Sequence, residues 1–136
     1  MLSKVSALMS SQIPNDLRYA KSHEWVRVEG DIATIGITDH AQHELTDVVF
    51  VELPAVGRQL NAGESCAVVE SVKTASDIYA PVSGEVVAAN AAVTKDPSLV
   101  NSAPYADGWF FKVKLSHPGE FHQLLSAADY GKQISG

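Results

Sequence analysis

One lysine stands between two strand-like runs, in Glu70-Ser71-Val72-Lys73-Thr74-Ala75-Ser76-Asp77. Cys66-Ala67-Val68-Val69 precedes this stretch, and Ile78-Tyr79-Ala80-Pro81-Val82-Ser83-Gly84 comes after it. The pattern places Lys73 at the tip of a hairpin, clear of the body. The chemistry available there is amide formation: a primary amine on a flexible four-carbon stem can take an activated acyl group. Acylation removes the charge, so such a lysine cannot also serve as a structural ion-pair partner. The expected turn, Val72-Lys73-Thr74-Ala75, has neither Asn-Gly nor Asp-Gly, the usual tight-hairpin dipeptides. A turn that breaks local rules is expected at functional sites. Glu70 and Asp77 give the tip an acidic collar. The pattern alone leaves two readings open: the anchor of a swinging arm, or a solvated lysine among 10 basic residues.

Other reactive side chains offer less. Cys66 is the single cysteine, so an internal disulfide is excluded. Its apolar surroundings make it a small core residue rather than a nucleophile. His40 and His43 are three apart in an expected helix, but no third ligand is evident, so no metal site is expected. No Ser-His-Asp set or glycine-rich phosphate loop is present, which argues against an enzyme. The net charge of −6 argues against a nucleic-acid binder, which needs a basic face. It suits steering toward basic patches on protein partners. No apolar run reaches the ~18 residues of a membrane span.

The elements that must hold Lys73 can be read from periodicity. Residues 1–16 lack a pattern and are expected to be a flexible segment, with 17–130 the folded domain and 131–136 a tail. A cleaved secretory signal is not expected in the first residues, because their apolar stretch is short and broken by Ser3, Lys4 and Ser6. No arginine precedes Arg18, unlike a mitochondrial transit peptide. Glu24-Trp25-Val26-Arg27-Val28 alternates, with Val26 and Val28 on one face and Trp25 and Arg27 on the other. Glu29-Gly30-Asp31 turns into a return strand, Ile32 to Ile37. Thr38 caps a two-turn helix over Asp39 to Leu45. Val48 to Leu53 is a strand stopped by Pro54. Short strands are expected around Arg58 to Leu60 and over Glu85 to Ala89. Asp96-Pro97 opens a short helix.

Trp109 to Leu115 is a strand with Trp109, Phe111, Val113 and Leu115 on one face. Phe121, Leu124, Leu125 and Ala128 then recur at helical spacing, in a C-terminal helix with a break near Ser126 and a restart capped with Asp129. Many short strands with few helices predict a mostly-β sandwich or partly open barrel. Pro54-Ala55-Val56-Gly57 and Pro81-Val82-Ser83-Gly84 repeat a strand-ending turn 27 positions apart. The two turns suggest two similar halves that hold the base of the lysine hairpin on both sides.

Several blocks together resemble the glycine cleavage system H-protein family. They are Ser22-His23-Glu24-Trp25-Val26, Gly36-Ile37-Thr38-Asp39-His40-Ala41-Gln42, Val49-Phe50-Val51-Glu52-Leu53-Pro54, Glu70-Ser71-Val72-Lys73, Ser76 to Val86, Asn101-Ser102-Ala103-Pro104-Tyr105 and Asp107-Gly108-Trp109. The likeness runs from about Leu17 to Tyr130. It implies a lipoyl/biotinyl-domain-like flattened β-barrel, a barrel-sandwich hybrid, with short helices and a C-terminal helix. It implies lipoate in amide linkage on Lys73, with Glu70, Val72 and Thr74 as contacts for a lipoate ligase or octanoyltransferase.

It further implies a non-catalytic carrier, expected as a monomer in a bacterial cytoplasm or a mitochondrial matrix. The carrier takes an aminomethyl group from glycine at the pyridoxal-phosphate-dependent P protein. It yields the methylene to tetrahydrofolate at the T protein and is reoxidised by the flavin-dependent L protein, dihydrolipoyl dehydrogenase. Positions matching Ser22, Glu24 and Asp77 would line a cleft that shields the loaded arm from water. A carboxylate there would pair with its cationic amine. For Glu24 the plainer alternative is an exposed acid at a strand start. A histidine present in some members falls at Glu44 here, beside His43.

Other carriers fit less well. Biotin carriers place methionine on both sides of the lysine, whereas Val72 and Thr74 flank Lys73. Lipoyl domains of 2-oxo acid dehydrogenases show Asp-Lys-Ala, followed by a linker and a catalytic domain. A lipoyl or biotinyl carrier serving another complex, and an interaction protein with an unmodified lysine, remain the alternatives.

Overall fold

The computed structural model describes residues 12–135. Nine strands run in the order β1 Arg18–Tyr19, β2 Glu24–Glu29, β3 Ile32–Ile37, β4 Val48–Glu52, β5 Gln59–Leu60, β6 Ser65–Ser71, β7 Ala75–Tyr79, β8 Gly84–Ala89 and β9 Phe111–Leu115. Five short helices lie between or after them: α1 Asp39–Leu45, α2 Ala91–Lys95, α3 Ser98–Ser102, α4 Gly119–His122 and α5 Ala127–Ser135. One sheet has six strands in the order β1-β2-β3-β9-β8-β5, and the other has three, β4-β6-β7. The two sheets are not closed into a barrel and form the flattened barrel-sandwich expected.

Alternation along the strands builds the interior. Val26 pairs with Ile35, and Ile35 with Phe111, so one apolar row crosses three strands. Val51 and Val69 form the facing row of the small sheet. All of these are buried in one cluster that fills the space between the sheets. Cys66 belongs to it, and burial pushes its thiol up to about 12, so it is a core residue, as its surroundings predict.

Trp25 alternates with Val26 and therefore points out of the large sheet. It joins Leu17, Tyr19, Ala127 and Tyr130 in a second buried cluster beneath α5. Its indole N–H donates to Pro104 O at 2.9 Å, and the Arg27 guanidinium lies 4.9 Å from its ring centre. Gly36 is the cross-strand partner of Trp25. A Cβ there would sit 2.7 Å from the indole ring. Gly36→Ala is therefore expected to destabilise by ~1–3 kcal/mol, the usual range for overpacking, read as a lowered denaturation midpoint. A second close approach fixes the end of the Pro-x-x-Gly repeat. A Cβ on Gly84 would lie 2.0 Å from Lys114 O, where β8 meets β9.

Several elements differ from the sequence expectation. Trp109 is not in β9, which starts at Phe111, and it packs with the outer cluster. Phe110 takes the core place instead, its N–H donating to Ile35 O at 2.8 Å. Helix α2 has no counterpart in the sequence reading. Asn90 ends β8 and caps α2, its Oδ1 accepting from Ala92 N–H while its amide donates to Asp107 O and Trp109 O. Asp96 and Pro97 do open a short helix, but the Asp96 carboxylate accepts from the Ser98 hydroxyl rather than from a backbone N–H.

The C-terminal helix is broken where expected. Leu125 leaves it to bridge Tyr19, and Ser126 Oγ accepts from Asp129 N–H at the restart. Ala128 is exposed, and Ala127 and Tyr130 are the buried residues of α5. That helix runs to Ser135 and packs Ile134 inward, so described residues of the expected tail are helical. Residues 1–11 of the expected flexible segment lie outside the described residues. Residues 12–16 are held: Gln12 N–H donates to Asp39 Oδ2, and Pro14 O accepts from the Tyr19 hydroxyl.

Candidate functional site

The turn between β6 and β7 is built on Ser71. Its N–H donates to Thr74 O at 2.7 Å, and its Oγ accepts from Lys73 N–H at 3.3 Å and Thr74 N–H at 3.2 Å. The serine hydroxyl thus does what an Asn-Gly pair would otherwise do. No residue from Ser71 to Ala75 needs a positive φ. Val72 N–H donates to Asp47 O, which ties the turn to the start of β4. The turn is one residue earlier than predicted, spanning Ser71 to Thr74. Ser71→Ala should leave the fold intact and loosen the tip. The expected results are a loss of ~1 kcal/mol and faster amide exchange at Lys73 and Thr74.

Lys73 is exposed at this tip, and no ion pair to it exists among the described residues. Val72, Thr74 and Glu70 beside it are also exposed. These are the properties of an anchor whose charge is dispensable.

A cleft of ≈150 Å³ opens along β7. One wall is β7, with Ser76, Asp77 and Ile78. The other is α1, with Ala41, Glu44 and Leu45, and the end is closed by Ser22 and His23. Asp77 is four residues from Lys73, so the two lie within about 14 Å of chain. Asp77 is exposed at the lip. Glu44 holds the opposite lip, 3.7 Å from His40 Nε2, while His43 turns away to Asp39.

His23 adopts φ 78°, unusual for a residue other than glycine. This conformation presents Ser22 and Glu24 on either side of the bend. The His23 carbonyl accepts from Thr38 N–H, and Nδ1 shares a 2.7 Å hydrogen bond with the Tyr130 hydroxyl. Tyr130 also bonds Thr38 Oγ1, which caps α1 by accepting from Ala41 N–H. The cleft end is therefore tied to α1 and to α5. Burial lowers the His23 pKa first, with His40 adding to the effect and Glu44 opposing it. Neither His23 nor Glu44 was singled out as a cleft residue from sequence.

Glu24 is fully buried, which rules out the exposed strand-start acid. It stands behind the wall, not on it. The Ser22 hydroxyl donates to Oε1 at 2.5 Å, and Tyr79 N–H donates to Oε2 at 3.1 Å. It so joins the β1–β2 turn to β7. Burial raises its pKa, against the hydrogen bonds from Ser22, from Tyr79 N–H and from its own backbone N–H. A raised folded-state pKa means that the native protein binds more protons than the unfolded one. This part of stability is complete below the unfolded value, near 4.3, and fades as pH rises through the folded value. Compared with Glu24→Gln, the wild type should gain relative stability as the pH of urea titrations is lowered from about 7 toward about 4. A difference that is flat with pH would remove desolvation of Glu24 as a factor.

No group of three or more His, Cys, Asp or Glu suited to a metal occurs among the described residues. None of their helices is long and apolar enough to cross a membrane.

Two facing sheets with a rigid hairpin that displays one free lysine define a carrier domain of the lipoyl/biotinyl class. Residues 17–136 match the family model "Glycine cleavage H-protein". The chain is 59% identical over 125 residues to the glycine cleavage system H protein of Opitutus terrae, covering 91% of this chain and 98% of that one. It is 58% identical to the H protein of Serratia proteamaculans with the same coverage. A crystal structure of the H protein from Mycobacterium marinum superposes with a TM-score of 0.84 at 41% identity, covering 91% of this chain and all of the other. The chain belongs to the glycine cleavage H-protein family, the lipoyl carriers of the glycine cleavage system.

Proposed function

We propose that the protein is a non-catalytic shuttle carrying lipoate in amide linkage on Lys73. The observation that supports this most is the placement of Lys73: exposed, without an ion pair among the described residues, on a turn fixed by Ser71 and close in sequence to Ser76 and Asp77 on a cleft. Bound lipoate would supply a dithiolane that can take an aminomethyl group and two electrons. Its working partners are the pyridoxal-phosphate P protein, the tetrahydrofolate-using T protein and the flavin-dependent L protein. A lipoate ligase or octanoyltransferase loads the lysine.

The chain's own residues have separate tasks in this reading. Ser71 holds the attachment point still. Asp77 and Glu44 put negative charge at the two lips of the cleft, which favours a cationic amine over an uncharged dithiol. Ser22 offers its hydroxyl oxygen at the inner end. Glu24 orients Ser22 from behind the wall. The apolar floor of Ile37, Leu45, Val69 and Ile78 excludes water from the loaded group.

The test is intact mass before and after incubation with lipoate, ATP and a lipoate ligase, together with peptide mapping. A lipoyl-sized increment on Lys73 is expected. A biotin-sized increment, or none, would overturn the proposal.

A further inference from the structure

The outer face of the β4-β6-β7 sheet is open along its middle rows, and at the β4 edge Phe50 and Glu52 border a cleft shared with Ala91 and Thr94 of α2. Register defines its side chains. Phe50 pairs with Glu70 and Glu70 with Ala75, which makes one row across the sheet. Glu52 pairs with Val68 and Val68 with Asp77, which makes the next. These six are exposed or half-buried, whereas the intervening Val51 and Val69 are buried. Tyr79 extends the face away from the turn, and Val72 extends it at the tip, 67% exposed. A bulge between Val48 and Phe50 turns both Val49 and Phe50 outward, 53% and 44% exposed.

The charged side chains of the three strands are of one sign. The three strands contain no lysine or arginine. Arg18, Arg27, Lys112 and Lys114 all lie on strands of the other sheet. Glu52, Glu70 and Asp77 therefore lie among exposed Phe50 and Tyr79 and half-buried Val68, and the cation at the far end of the sheet, Arg58 on Ser65 O, is already paired with Glu64. Aromatic residues exposed on a rigid sheet are characteristic of interfaces. The complementary surface is basic with an apolar centre.

Reach selects the occupant. Enzymes that act on the loaded group meet it at the end of a long arm and can leave the sheet untouched. The enzyme that attaches the acyl group has only the lysine stem to work with. It must come into contact with the turn and with the rows beside it. We propose that the outer face of the β4-β6-β7 sheet, with Phe50 and Glu52 at its centre, is the docking surface for the enzyme that acylates Lys73. This deepens the assignment of Lys73 as the lipoyl site and rests on it. Glu70, Val72 and Thr74 form only the tip of this surface.

The test uses full-length chains with Lys73 unmodified: wild type, Phe50→Ser, Glu52→Lys and, on the opposite sheet, Lys112→Glu. A lipoate ligase, lipoate and ATP serve as the probe, and initial rates of lipoyl mass gain give KM and kcat for each carrier. Glu52→Lys should raise KM about tenfold with kcat unchanged, equal to ~1.4 kcal/mol of binding. Added salt should narrow its gap from wild type, as for any screened charge. Phe50→Ser should raise KM without a salt dependence, and Lys112→Glu should match wild type.

The same variants, loaded to completion by long incubation, are then assayed for glycine decarboxylation with the P protein, where KM should stay within about twofold of wild type. Unchanged attachment KM in both face variants overturns the proposal. So does an equal rise in both assays, which would make the face a general docking surface. Failure of the wild type to gain mass at Lys73 overturns the lipoyl assignment instead, so the two failures are distinguishable.

Discussion

Lys73→Arg is expected to abolish carrier function entirely while leaving the fold unchanged. Arginine keeps the positive charge and much of the stem, but its guanidinium stays protonated and is no nucleophile toward an acyl donor. The side chain is exposed, and the turn is held by Ser71 and by backbone bonds that do not involve the Lys73 side chain. Stability should thus stay within about ±0.5 kcal/mol of wild type, as for surface substitutions generally. Intact mass should show no lipoyl increment, and glycine-dependent reduction in the reconstituted system should fall to background. Residual transfer above background, or an increment that persists, would place the arm on another residue.

Glu24→Ala is expected to have the second largest effect, on two quantities at once. Removing the carboxylate leaves the partly buried Tyr79 N–H without its acceptor and opens a void behind Ser22. A partly buried donor left unpaired together with a cavity should cost ~2–4 kcal/mol. Lipoylation should proceed as in wild type, because Glu24 and Lys73 lie apart. The aminomethyl-loaded form should decay faster, since the wall that carries Ser22 is no longer held. Glu24→Gln separates the two effects. It preserves shape and can still accept from Tyr79 N–H, so most stability should return. A shortened lifetime in the glutamine variant would then report the charge. If both variants keep the wild-type lifetime of the loaded form, measured by mass spectrometry, Glu24 has only a structural role.

The parts of the site that were legible in the sequence were local ones. The lysine between two apolar runs, the Glu24 to Val28 alternation and the cap at Thr38 depend on neighbours within a few residues. The restart near Ser126 is of the same kind. Assembly at long separation was not legible. Glu24 meets Tyr79 across 55 positions, and His23 meets Tyr130 across 107. Nothing in the local pattern marks Glu24 as buried, and the acid reads equally well as an exposed strand end.

Helix α2 escaped because five residues give no period to read, and its cap, Asn90, is explained only by the carbonyls it meets near Trp109. Trp109 itself misled, because alternation alone does not reveal that the strand starts two residues later. Ala128 failed for a related reason: Leu125 leaves the helix for a bridge to Tyr19, which resets the helical phase of the residues after it.

The two tryptophans, Trp25 and Trp109, both belong to the cluster beneath α5, on the outer side of the large sheet. Their emission is therefore a reporter of one layer only. Undocking of the C-terminal helix would alter it strongly, whereas acylation at the Lys73 tip would leave it nearly constant. Intrinsic fluorescence would accordingly score a carrier left unacylated at Lys73 as native, and following the tip requires a label placed on the small sheet.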